Sequence, residues 1–151
     1  MDSASQAAVD SVEQDAIEET IAPEVIAIDG ITEPTILNYF TLLNAGDFAA
    51  AGLLFALDGA LHPPFESPIV GPEAIATYFQ AEAQGFILQP RQGTIGSLED
   101  GTREVQVGGR VQTPFFSVNV AWRFILNAES EILLLKIKLL ASPKELLNLR
   151  Q

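Results

Sequence analysis

The chain has no cysteine. That absence removes disulfides, thiol nucleophiles and thiolate metal sites together. Its one histidine, His62, stands beside Pro63, Pro64 and Phe65, none of which ligates a metal. Metal centres and Ser-His-Asp machinery need converging groups, which this segment does not offer, so no metal is expected. Lysine and arginine are missing before Arg91, and the net charge is −12. An acidic chain without a basic stripe repels nucleic-acid phosphates, so no nucleic-acid partner is expected. The glycines match no phosphate-loop or dinucleotide spacing. The longest aliphatic run, Ile132–Leu135, is far short of the ~20 residues that span a bilayer. The N-terminus lacks the basic and apolar stretches of a secretory signal. A cytoplasmic location is the expectation.

What is present divides in two. Residues 1–29 hold eight acids and no base. Residues 1–25 read as an acidic extension, either a disordered tail or a short amphipathic helix through Val9, Val12 and Ala16 that ends before Pro23. Residues 26–151 read as one domain, and 48% apolar residues supply a core.

The first half of that domain has helical spacing. "TEPTILNYFTLLNAGDF" predicts a helix with Thr32 as N-cap, Pro34 in its first turn and Gly46 beyond its end. Asp47 is placed to cap a second helix over Phe48–Phe55. "LDGALHPPFESPIVG" reads as strand or turn, and "GPEAIATYFQAEAQG" as a further helix. The period then changes to two. Val105, Val107, Gly109 and Val111 alternate with polar residues or glycine over Arg103–Gln112. Val118, Val120, Trp122, Phe124 and Leu126 share one face of Ser117–Leu126. After the turn "NAES", Leu133, Leu135, Ile137 and Leu139 share a face of Glu131–Leu139. Ser142 and Glu145 form a capping box for a terminal helix. Helices followed by a meander of amphipathic strands predict an α+β fold, a curved antiparallel sheet covered by the N-terminal helices.

Two sets of residues compete for the chemistry. Asp58 with Tyr39 or Tyr78 has the parts for acid–base work of the isomerase or dehydratase kind, although "LDGA" is also ordinary turn sequence. Tyr39 and Trp122 each border an apolar face. They are either core aromatics or two hydrogen-bond donors aimed into a pocket. Converging donors in an apolar cavity suit a single carbonyl oxygen.

At these residues the chain resembles the C-terminal domain of the orange carotenoid protein family and its stand-alone relatives, the C-terminal-domain-like carotenoid proteins of cyanobacteria. The segments that carry the likeness are "YFTLLNAGDF", "LFALDGALHPPFESPIVGPEAI", "VQTPFF", "NVAWRF" and "KLLASPKELLNLR". The resemblance implies a nuclear-transport-factor-2-like cone. It implies a ketocarotenoid such as canthaxanthin or echinenone, its keto oxygen held by Tyr39 and Trp122. Val105, Val107, Val118 and Val120 would line the path of the polyene. It further implies a photoprotective carrier rather than an enzyme. Such a carrier is a homodimer when loaded, exchanges pigment with helical carotenoid proteins, quenches singlet oxygen and meets membranes only in passing, to take up pigment. Phe115 stands where most relatives have Trp, and Phe116 where some have Cys. The pair is a candidate dimer or partner surface, and without a thiol it cannot form redox-linked dimers.

Overall fold

The computed structural model describes residues 26–140. The N-terminal extension, read as either a tail or a short helix, and the helix expected after Ser142 lie outside the described residues. Helix α1 runs Pro34–Ala45 and helix α2 Phe48–Gly52. Strands β1 (Phe55–His62) and β2 (Ile69–Val70) precede helix α3 (Pro72–Glu82). Strands β3 (Ile87–Ser97), β4 (Arg103–Gln112), β5 (Ser117–Leu126) and β6 (Ile132–Leu140) follow. All six strands form one sheet in the order β2-β1-β6-β5-β4-β3. The sheet is mixed, because β1 lies parallel to β6 while the other neighbours are antiparallel.

The N-cap of α1 is Glu33, not Thr32. Pro34 at the first helical position forces the residue before it into extended backbone, which is the conformation an N-cap needs. The Glu33 carboxylate accepts from the Thr35 N–H at 3.2 Å and from the Arg103 guanidinium at 2.5 Å. Arg103 also donates to Ser130 Oγ at 2.6 Å, and Thr35 Oγ1 donates to the Ser130 carbonyl at 2.8 Å. The start of α1 is thereby tied to β4 and to the β5–β6 turn. At the other end, Gly46 takes a left-handed φ of 76° and its N–H closes the helix, a role that costs a residue without Cβ nothing.

Helix α2 stops at Gly52, short of the expected Phe55. A Cβ at Gly52 would stand 2.6 Å from the Pro72 carbonyl oxygen, so α3 crosses where only glycine fits. Phe55 instead begins β1, pairing with Ile132. Asp58 sits within β1 rather than in a hairpin turn, because the pairing with β6 shifts register between Phe55 and Ala60 and absorbs the "LDG" segment. The sequence also hid β3. Pro90, Gly93 and Gly96 interrupt its pattern, and an edge strand tolerates such residues where a central one does not.

In β6 the expected alternation holds only from Leu135 onward. Leu126 pairs with Ile132 while Ile125 pairs with Leu134, so Leu133 is a bulged extra residue. Ile132 therefore joins the core, fully buried, and Leu133 is half-buried. Ile36, Tyr39, Phe40 and Leu43 of α1 pack on the inner face of the sheet. Phe40 stands edge-on to Trp122, with ring centroids 4.8 Å apart.

Candidate ligand-binding site

A cavity of about 300 Å³ opens between α1, α3 and the inner face of the sheet. Its walls are apolar, drawn from Leu43, Phe79, Phe86, Leu88, Val111 and Ile137 among others. Val118 and Val120 line it as well; Val105 and Val107 do not. The cross-strand register explains the difference. Val107 lies opposite Trp122 and Val105 opposite Phe124, deeper under α1, whereas Val111 lies opposite Val118 near the open end. Val105 and Val107 are fully buried core.

Tyr39 and Trp122 both line the cavity and are each only 1% exposed. Tyr39 is held by edge-on contacts to Phe40 and Phe124, with centroids 5.1 and 5.4 Å away. Phe40 stands edge-on to both Tyr39 and Trp122. Burial pushes the Tyr39 hydroxyl pKa well above the usual phenol range, so it remains a protonated donor. Among the described residues neither the Tyr39 O–H nor the Trp122 indole N–H has a hydrogen-bond partner. Buried donors in folded proteins are nearly always paired. Two residues whose buried donors lack partners among the described residues thus line one apolar cavity, a combination suited to an acceptor on an otherwise apolar molecule.

Polar groups gather at the mouth. Tyr78 donates to Glu66 Oε2 at 2.8 Å. Burial, then the adjacent Glu66 carboxylate, raise the Tyr78 hydroxyl pKa beyond the phenol range. Glu82 and Thr113 also line the opening. Phe116 and Phe65 complete the rim, 61% and 94% exposed. Thr113 shapes the β4–β5 turn: its hydroxyl oxygen accepts from the N–H groups of Phe115 and Phe116 at 3.1 and 3.0 Å. The turn displays both phenylalanines outward, but Phe115, 90% exposed, is not part of the cavity wall.

Asp58 is exposed on β1 and absent from the lining, so it is not brought together with Tyr39 or Tyr78. His62 lies outside this cavity, and the described residues hold no group of three His, Cys, Asp or Glu side chains able to bind a metal. Phe65, Glu66, Phe86 and Leu139 escaped sequence reasoning. The period-two pattern of β6 already pointed Leu139 inward with Ile137. The loop residues carry no periodic signal at all.

Residues 31–135 match the nuclear transport factor 2 (NTF2) domain. The chain belongs to the NTF2 domain family. Within that family this NTF2 domain is 47% identical over 135 residues to the orange carotenoid-binding protein of Synechocystis sp., covering 87% of this chain and 43% of the relative. It is 48% identical over 128 residues to the orange carotenoid-binding protein of Limnospira maxima, covering 82% and 40%. The likeness falls on the C-terminal domain of the orange carotenoid protein, so the chain spans less than half the length of these relatives. The structure of the Anabaena (Nostoc) sp. orange carotenoid protein binding canthaxanthin superposes with a TM-score of 0.77 at 47% identity, over 84% of this chain and 42% of that one. Among the described residues no helix is long and apolar enough to cross a membrane.

Proposed function

We propose that this NTF2 domain is a ketocarotenoid carrier, with the keto oxygen of one terminal ring accepting from Tyr39 and Trp122. The observation that carries the reading is the pair of buried donors, without acceptors among the described residues, on the wall of one apolar cavity. The similarity to carotenoid-binding relatives, one of them with canthaxanthin bound, supports the same ligand class.

Volume decides how much of the pigment is enclosed. An apolar cavity of about 150 Å³ accommodates benzene. A cavity of about 300 Å³ therefore encloses about twice as many carbons, a ring and the start of a chain. The rest of a long polyene lies outside the mouth. A second copy of the chain, meeting the first through the exposed Phe115 and Phe116, would cover it, and the loaded form is a homodimer in this reading. Because an open mouth also permits exit, the domain would pass pigment to and from helical carotenoid proteins. Singlet-oxygen quenching follows from the bound polyene itself.

The working groups are donors for binding. Asp58, the base that the isomerase reading names, is exposed on β1 and lies outside the cavity, so it does not pair with Tyr39 there. The test is expression of the full chain in hosts that accumulate canthaxanthin or β-carotene. The expected outcome is a coloured protein from the first host, its absorption shifted to the red of the free pigment. Equal uptake of both pigments would overturn the keto clamp.

A further inference from the structure

Phe65 combines two unfavourable features. Its backbone is left-handed, with φ 63°, and its ring is 94% exposed. A bulky side chain rarely adopts that backbone, and an apolar ring in water forgoes burial. Neither feature is slack in a loose loop. Pro63, Pro64 and Pro68 restrict the segment between β1 and β2. Glu66, the next residue, is hydrogen-bonded to Tyr78 of α3 at 2.8 Å. Tyr78 and Glu66 both stand on the rim of the cavity with Phe65. Backbone outliers held in place by their surroundings concentrate at ligand clamps.

We infer that Phe65 is a ligand-binding residue, an aromatic clamp fixed at the cavity mouth by the Glu66–Tyr78 hydrogen bond, and that it packs on the apolar chain of the ligand where this leaves the protein. The inference rests on the carrier reading above. The fit is chemical: a conjugated chain presents a flat, polarisable face, and an aromatic ring gains from that contact beyond simple area burial. Clamping at the mouth governs how long the ligand stays, since retention is set by the contacts that must break for it to leave.

The experiment loads the full chain with canthaxanthin and follows transfer to phosphatidylcholine vesicles. Phe65→Asn suits the left-handed backbone and removes the ring. It is expected to hold or raise the Tm of the pigment-free protein, while pigment leaves about five- to tenfold faster. Phe65→Tyr keeps the unsubstituted rate. Tyr78→Phe, which frees Glu66, gives a rate between the two. Pigment bound by the unsubstituted chain but released from Phe65→Asn at the same rate overturns the clamp and leaves the carrier reading standing. Unchanged release together with weaker self-association of the pigment-free protein also overturns it, assigning the ring to a protein contact. Failure of the unsubstituted chain to take up pigment overturns both.

Discussion

Asn44 grips both backbone groups of Leu88: its Nδ2 donates to the Leu88 carbonyl at 2.9 Å, and its Oδ1 accepts from the Leu88 N–H at 2.7 Å. One side chain at the end of α1 thus substitutes for a missing strand neighbour at the start of β3. Leu88 is also a wall of the cavity. Asn44→Ala leaves two backbone groups short of partners and should cost about 1–3 kcal/mol in urea unfolding. Asn44→Asp keeps the acceptor but loses the donor to the Leu88 carbonyl, and is expected to fall between the two.

Tyr39→Phe separates the cost of an unpaired donor from its use. In the pigment-free protein the substitution removes a buried hydroxyl that has no partner among the described residues, so Tm should stay level or rise. In the proposed loaded form it deletes one bond to the keto oxygen, and the preference for canthaxanthin over β-carotene should fall about tenfold. Competitive loading with both pigments measures the second effect. A marked drop in the Tm of the pigment-free protein would instead assign the hydroxyl a structural role.

Acid should loosen the start of α1. Burial works against the Glu33 charge, but the Arg103 guanidinium and the Thr35 N–H together outweigh it and hold the carboxyl pKa below the ordinary 4.5. The sign follows from which state takes up the proton first. Above 4.5 both states are ionised and the ion pair stabilises the fold in full. As pH falls below that value the unfolded chain protonates first, and the contribution disappears as pH passes through the folded pKa. Glu33→Gln should be less stable than the unsubstituted chain at neutral pH, with the difference shrinking in acid. Thermal unfolding of both at a series of pH values checks this.

Gly109→Ala should be among the most damaging single-methyl changes. A Cβ there would collide with the Gln89 carbonyl oxygen and stand 2.7 Å from Pro90 Cα, both of them backbone. Neither can swing aside as a side chain would. The β3–β4 pairing must open locally, at about 1–3 kcal/mol. Chemical denaturation gives the cost, and hydrogen exchange along β3 shows where it falls.

The sequence was most legible where one period ran unbroken. The bounds of β4 and β5 follow directly from alternating valines and aromatics. Gly46 and Pro72 mark helix ends by backbone chemistry alone. Legibility failed where tertiary contacts override local pattern. β3 tolerates Pro90 because it is an edge, and position 52 takes glycine because the Pro72 carbonyl leaves no room for a Cβ. The parallel pairing of β1 with β6 joins segments too distant in the chain for any local signal. Tyr39 and Trp122 were visible as donors on apolar faces. That they line one cavity depends on α1 crossing the sheet. The rim residues Phe65 and Glu66 depend on a loop conformation that composition does not encode.

Trp122, the chain's single indole, stands on the cavity wall. The protein's ultraviolet emission therefore originates almost wholly from the place where a guest would sit. An absorbing guest would darken that emission by energy transfer. Occupancy by such a guest can then be followed in real time without attaching a dye.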